Sequence, residues 1–162
     1  MKNSLANKYI KEKIRIALNE DFGASGDITS NTLISQRSTL KASIHVKESA
    51  ILCGTKFAYQ TFKMLDNSIK IKTLKEDGSK VIKGDKIITV SGSAESILAA
   101  ERTALNFLGL MSGIASKTRK YVDIAKTYGV KIYSTRKTIP GIREMQKYAL
   151  TVGGAYVNRS SL

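Results

Sequence analysis

Ile10, Ile14, Ala17 and Leu18 recur at the three- and four-residue spacing of a helix with one buried face, so the chain is expected to open with an amphipathic helix. That pattern stops near Asp21-Phe22-Gly23, and Gly23-Ala24-Ser25-Gly26-Asp27 reads as a loop. From Leu40 to Val46 the period changes to two. Leu40, Ala42, Ile44 and Val46 share one face while Lys41, Ser43 and His45 share the other, which predicts a half-buried strand. Ala50 to Gly54 predicts a second strand, and Phe57, Thr61, Met64 and Leu65 predict a short helix. Ser68 to Leu74 alternates again with Ile69 and Ile71 inward, Glu76-Asp77-Gly78-Ser79 is a turn, and Val81 to Val90 predicts a strand pair around Gly84-Asp85. Together these elements predict a small antiparallel sheet with helices.

From Ser93 the helical period returns. Ser93 is a candidate N-cap and Glu95 places an acid in the first turn, against the positive end of the helix dipole. Ile97, Leu98, Leu105 and Leu108 supply the apolar face, and a break at Ser112-Gly113 is expected before a second helical run ending near Tyr128-Gly129. Lys131 to Arg136 predicts a short strand. Pro140 is expected in the first turn of the next helix, Met145, Tyr148, Ala149 and Val152 continue it, and Gly153-Gly154 end it. This alternation of helix and strand is that of a parallel α/β unit. Internal repeats, low-complexity tracts and flexible linkers are absent from the sequence.

Composition narrows the class. The chain has 162 residues, room for one ordinary domain or a small domain and part of another; 42% are apolar and 25% charged, as in soluble globular proteins. No apolar run approaches the roughly 18 residues of a membrane span, no secretory leader is recognisable, and the one cysteine, Cys53, has no intramolecular partner; a cytoplasmic protein is expected. Twenty-seven Lys and Arg against 13 Asp and Glu give a net charge of +14, which attracts polyanions or phosphorylated small molecules. Most lysines are scattered along amphipathic segments as solvated faces. The tract 131–162 differs: it carries Lys131, Arg136, Lys137, Arg143, Lys147 and Arg159 with Glu144 as its one acid. No RNA-recognition aromatic pattern, zinc spacing or basic zipper accompanies these cations, so a small anionic ligand fits better than nucleic acid.

Candidate chemistry concentrates in Ser134-Thr135-Arg136-Lys137-Thr138-Ile139-Pro140-Gly141, at the expected C-terminal end of a strand entering a helix, where α/β units bind ligands. Arg136 offers a planar fork for carboxylate or phosphate, Lys137 a compact charge, Thr135 and Thr138 hydroxyls, and the helix start backbone N–H groups. On these residues alone, an anion site and a surface turn with two charges are equally good readings. His45, the one histidine, falls on a polar strand face without neighbouring ligands and reads as a surface residue rather than a metal ligand. Asp21-Phe22-Gly23 matches a kinase magnesium tripeptide but lacks that family's other motifs. The Gly78–Ile87 stretch resembles a carrier-domain hairpin but lacks the modified-lysine tripeptide, and a plain turn is the better reading.

Three segments taken together resemble the quinolinate phosphoribosyltransferase family. They are Ala100-Glu101-Arg102-Thr103-Ala104-Leu105-Asn106-Phe107-Leu108 continuing through Met111-Ser112-Gly113-Ile114-Ala115, the Thr135 to Gly141 stretch, and Lys147-Tyr148-Ala149 followed by Gly153-Gly154. Glu20-Asp21 with Gly26-Asp27-Ile28-Thr29 matches the family's N-terminal loop. The resemblance implies an α+β N-terminal sandwich domain, an antiparallel sheet with helices, over residues 1–110, followed over 111–162 by the start of an α/β barrel. It implies transfer of phosphoribosyl from phosphoribosyl pyrophosphate to quinolinate, giving nicotinate mononucleotide, pyrophosphate and carbon dioxide in NAD biosynthesis. Mg2+ accompanies the pyrophosphate. By the same resemblance Arg136 and Lys137 hold quinolinate carboxylates or nearby phosphates, Thr135 lines the pocket, Arg159 pairs with a carboxylate, and Arg102 reaches across a homodimer, or an oligomer of dimers, into the partner's site. No catalytic residue or metal ligand is assigned within the chain.

Two departures accompany the resemblance. Asn158 stands where the family carries a histidine. A barrel needs about 250 residues, so the chain is expected to be an incomplete form, with the family's later lysine, its acidic ribose and metal ligands and its glycine-rich phosphate loops lying beyond Leu162. Catalysis in such a site rests mainly on positioning and electrostatics. The same motifs occur in phosphoribosyltransferase-like proteins found with molybdate transport, and nicotinate phosphoribosyltransferases share the architecture. A non-catalytic fragment that dimerises or binds ligand through the 93–128 helices is a second reading, and a basic RNA-binding domain a third.

Overall fold

The computed structural model describes residues 5–23 and 38–158. The loop residues Gly26 to Thr29 and Arg159, all singled out from the sequence, lie outside the described residues. Helix α1 (Asn7–Phe22) buries Ile10, Ile14 and Leu18, one residue per turn along a single stripe, and stops at Gly23, whose φ of 55° a side chain would resist. Strand β1 (Thr39–His45) alternates between exposed and half-buried positions as its sequence period requires. Strand β2 (Ala50–Ile51) is shorter than the expected strand at 50–54 because Gly54, at φ 101°, turns the chain into helix α2 (Thr55–Leu65). Strands β3 (Lys70–Thr73), β4 (Lys80–Val81) and β5 (Lys86–Ser93) follow.

The strand pair expected around Gly84-Asp85 divides between two sheets. β5 lies at the centre of an antiparallel sheet of order β1-β5-β3, while β4 pairs with β2. The reason is hydrophobic register. Ala42 stands opposite Val90, Ile44 opposite Ile88 and Ile71 opposite Val90, so the apolar rows of three strands face the same core. Both sides of that pairing are antiparallel, as the sequence pattern required.

Helix α3 (Ala94–Thr127) is a single element of 34 residues, about 50 Å long at the α-helical rise. The Ser93 hydroxyl caps it by accepting from the Ser96 N–H at 3.3 Å. The break expected at Ser112-Gly113 does not occur. Met111 and Ala115 on either side are fully buried, and the Ser112 hydroxyl is engaged across the fold: it accepts from the Cys53 N–H at 2.9 Å and donates to the Cys53 carbonyl at 3.0 Å. One turn later the Ser116 hydroxyl accepts from the Ile51 N–H at 2.8 Å. Two helical hydroxyls therefore satisfy backbone groups of β2 and the link to α2. Leu98 and Leu105, expected on the buried face, are exposed; Ile97, Ala100, Ala104 and Leu108 line the core instead.

Two cores result. Leu52, Phe62, Ile69, Ile88, Val90 and Ile97 fill the space between the sheet and α2 with the first half of α3. Ile14, Phe57, Phe107, Met111, Met145 and Ala149 fill a second core among the helices, where the Phe57 and Phe107 ring centroids lie 4.8 Å apart. Helix α4 (Arg143–Val152) closes this second core. Its end packs directly on α3: a Cβ on Gly153 would fall 2.6 Å from the Ala115 carbonyl oxygen and from the Thr118 Cβ. Among the described residues no helix is long and apolar enough to cross a membrane.

Candidate functional site

The segment between α3 and α4 carries the cationic stretch. The strand expected over 131–136 is reduced to one parallel bridge between Tyr133 and Tyr156, with the Ser134 N–H donating to the Tyr156 carbonyl and the Tyr156 N–H to the Ile132 carbonyl, both at 2.8 Å. The two tyrosine rings stack at 5.4 Å, and the Lys131 ammonium lies 5.5 Å from the Tyr156 ring centre. Pro140 lies in the turn ahead of α4 rather than in its first turn. Gly141 at φ 81° interrupts the helix there, and α4 begins at Arg143.

Thr135, Arg136 and Lys137 leave this bridge together and are exposed. The Thr135 hydroxyl accepts from the Lys137 N–H at 2.9 Å, which curls the turn that carries the two consecutive cations. Neither Arg136 nor Lys137 enters an ion pair among the described residues. The turn is tied to α4 from both ends: the Ile139 N–H donates to Gln146 Oε1 at 2.8 Å, and Arg143 Nε donates to Thr138 Oγ1 at 3.0 Å. Behind it, Ser134 is buried, and its hydroxyl accepts from the Asn158 N–H at 3.1 Å. Lys147, 4% exposed, donates from Nζ to the Asn158 carbonyl at 2.9 Å. Lys147 and Ser134 thus both tie to the Asn158 backbone, two residues beyond Tyr156, while Arg136 and Lys137 are exposed on the turn that follows Ser134. Glu144, the lone acid of the tract, is exposed.

Arg102 sits elsewhere. It projects from α3 and its Nη1 meets Asp21 Oδ1 at 3.0 Å, at the end of α1. No hydrogen bond among the described residues joins it to the Thr135–Lys137 turn. His45 is exposed and lies near the Gly84 carbonyl and the Ser43 hydroxyl, each at 3.3 Å.

Sequence reasoning missed a third group. Asp77, expected only as a turn residue, accepts from the Gly54 N–H at 3.1 Å, from the Thr55 N–H at 2.9 Å, from the Thr55 hydroxyl at 2.7 Å and from the Tyr148 phenol at 2.9 Å. The carboxylate caps α2 from a distant loop and fastens α4 to it. Burial and the Asp77 charge push the Tyr148 phenol well above the usual tyrosine range, and burial followed by the same charge does this to the Cys53 thiol. A reactive thiolate at Cys53 is therefore disfavoured. The sequence signal was the Gly54-Thr55 helix start, which has no capping side chain of its own.

The comparisons agree with this anatomy. The model for the quinolinate phosphoribosyl transferase N-terminal domain matches residues 27–112, and that for the C-terminal domain matches residues 114–162. The chain belongs to the quinolinate phosphoribosyl transferase family. A nicotinate-nucleotide pyrophosphorylase (carboxylating) of Arabidopsis thaliana, described as chloroplastic, is 39% identical over 153 residues, covering 94% of this chain and 43% of that protein. A probable nicotinate-nucleotide pyrophosphorylase (carboxylating) of Bacillus subtilis is 37% identical over 143 residues, covering 88% of this chain and 49% of that protein. Among solved structures, the nicotinate-nucleotide pyrophosphorylase from Francisella tularensis superposes with a TM-score of 0.93 at 39% identity, covering 99% of this chain and 56% of that one. The enzyme of the same name from Ehrlichia chaffeensis gives 0.89 at 36% identity, covering 100% and 57%. The chain thus spans less than half the length of these two curated family members and just over half of these two solved chains.

Proposed function

We propose that these residues form the N-terminal domain and the quinolinate-recognising start of the barrel of a nicotinate-nucleotide pyrophosphorylase. In that reaction the ring nitrogen of quinolinate attacks the ribose carbon of phosphoribosyl pyrophosphate, pyrophosphate leaves, and a carboxylate is lost as carbon dioxide. The observation that carries the reading is the Thr135–Lys137 turn: two consecutive exposed cations just after a parallel bridge, inside a chain that matches both domains of the family. Residues 1–110 serve as the sandwich domain and 111–162 as the first part of the barrel, with α4 as the crossover between the two bridged segments. Arg136 and Lys137 hold the carboxylates, Thr135 lines the pocket, and Arg159 adds a further cation. Arg102, exposed on α3 away from this turn, serves the pocket of a second copy in a homodimer. A cytosolic setting belongs to the same reading, supported by the free, buried thiol of Cys53.

Mg2+ accompanies the pyrophosphate in this reaction. The described residues hold no group of three or more His, Cys, Asp or Glu side chains that could bind a metal, so no step is assigned to them through it. Tract 131–158 offers Glu144 as its one acid, and that side chain is exposed. The 162-residue chain, assayed by itself with quinolinate, phosphoribosyl pyrophosphate and Mg2+, is therefore expected to bind the dicarboxylate without forming nicotinate mononucleotide. Robust turnover would contradict this division of labour.

Binding is tested by calorimetry with phthalate, a quinolinate mimic. Arg136→Ala is expected to weaken it by about 1.5–3 kcal/mol, the scale of a charge-assisted hydrogen bond. Equal affinity in the variant would remove the turn from the site.

A further inference from the structure

The last turn of α1 contains Glu20 and Asp21 and no basic residue. The C-terminal end of a helix carries the negative pole of its dipole, so acids there are locally unfavourable. Local rules broken in this way call for a compensating partner or a function. Asp21 has one: its Oδ1 accepts from Arg102 Nη1 at 3.0 Å, across 81 positions of sequence. The carboxylate is largely covered, its side chain 21% exposed, whereas the guanidinium is 75% exposed. Leu18, one turn earlier on α1, is buried in the helical core, which anchors the helix end that carries Asp21. Among the described residues, Nη1 to Asp21 is the guanidinium's one hydrogen bond. The remaining donors of the fork are left for another anion, and the side chain that presents them is aimed by its tie to Asp21. Ala17, Glu20, Thr103, Asn106 and Leu110 line an adjoining cleft of about 300 Å³ together with Asp21.

We propose that Asp21 is a positioning residue for Arg102: it holds the guanidinium at a fixed angle on α3 so that its free edge meets an anionic carboxylate or phosphate. The inference rests on the proposed role of Arg102 in dicarboxylate binding. Asp21 touches no ligand itself. It acts by removing rotamer freedom that a long exposed arginine would otherwise lose on binding.

A double-mutant cycle on phthalate affinity in the full chain tests this, with wild type, Asp21→Asn, Arg102→Ala and the double variant compared. NMR order of the Arg102 Nε–H and the unfolding midpoint are read alongside. The expected result is a loss of Arg102 order and a weakening of phthalate by about two- to fivefold in Asp21→Asn, the range of an exposed ion pair. That weakening should vanish in the Arg102→Ala background, because there is no longer a side chain to position. Asp21→Glu, which keeps the charge on a longer arm, should retain part of the order and affinity. Arg102→Ala weakening phthalate while Asp21→Asn leaves it unchanged, or additive losses in the double variant, would overturn the positioning role and leave the Arg102 reading intact. No effect of Arg102→Ala would overturn both.

Discussion

The sheet half of the molecule and the cationic half obey the same packing rules with opposite outcomes. In residues 39–93, strands β1, β5 and β3 align Ala42, Ile44, Ile71, Ile88 and Val90 on one face, and helices α2 and α3 cover it. In residues 128–158, the backbone pairs through one parallel bridge, and Tyr128, Val130, Tyr133, Ile139 and Tyr156 remain exposed. In this second region α4 buries Met145 and Ala149 in the helical core, and polar ties hold the segments around it: Asp77 to Tyr148, Ser134 and Lys147 to Asn158, and Thr138 and Ile139 to the side chains of α4. A covered sheet face tolerates plain alternation in the sequence. An exposed cationic turn has no apolar burial to set its shape, so hydrogen bonds from neighbouring side chains set it.

The largest expected effect lies where the two halves meet. Phe57→Ala removes a fully buried ring that stacks on Phe107, and should lower unfolding free energy by about 3–5 kcal/mol, measured by urea titration. A cost below 1 kcal/mol, read against that range, would show that the helical core is not the common support.

Gly153→Val sharpens the contrast between the halves. Its side chain would meet the Ala115 carbonyl and Thr118 at 2.6 Å, so the end of α4 and α3 must move apart. A loss of about 1–3 kcal/mol is expected, with amide exchange accelerated in α4 and the Tyr133–Tyr156 bridge while β5 stays protected. Uniform acceleration in both halves would merge them into one cooperative unit.

Tyr148→Phe is the smallest change. Losing the phenol removes one of the two donors to Asp77 Oδ2, leaving the Gly54 N–H, and should cost about 1 kcal/mol. The alkaline limb separates this from a packing effect. The Tyr148 phenol is held above its ordinary value of 10.0, so its stabilising contribution is complete below that pH and is lost as pH rises beyond it. Wild type should therefore lose stability above about pH 10 more steeply than Tyr148→Phe does. Parallel curves would remove the phenol from the account.

What was legible in the sequence follows periodic burial. Alternation from Leu40 to Val46 and helical spacing from Ile10 to Leu18 were legible in both cores, because burial in those elements is repetitive. The division of β4 and β5 between two sheets was not legible, since strand pairing depends on partners far away in sequence. Ser112-Gly113 misled because a serine and a glycine are local helix breakers, yet the Ser112 hydroxyl was engaged with Cys53 in three dimensions. The adjacency of Arg136 and Lys137 was visible from the residues; the buried Lys147 tied to Asn158 and the Asp77 fastening were not, because neither has a periodic signature.

The central claim is that the Thr135–Lys137 turn is a dicarboxylate site and not merely one basic surface among several. Amide chemical shifts of the full chain, followed during titration with phthalate at physiological salt, test it most directly. The other basic face is available as an internal control: Lys41, Lys70, Lys72 and Lys86 gather on the open side of the β1-β5-β3 sheet. The account predicts saturable shifts at Thr135 to Ile139 and at Asn158, abolished in Arg136→Ala, with the sheet lysine segments unmoved. Shifts spread equally over both faces, falling away together as salt is raised, would contradict it and leave only non-specific attraction between a +14 chain and an anion.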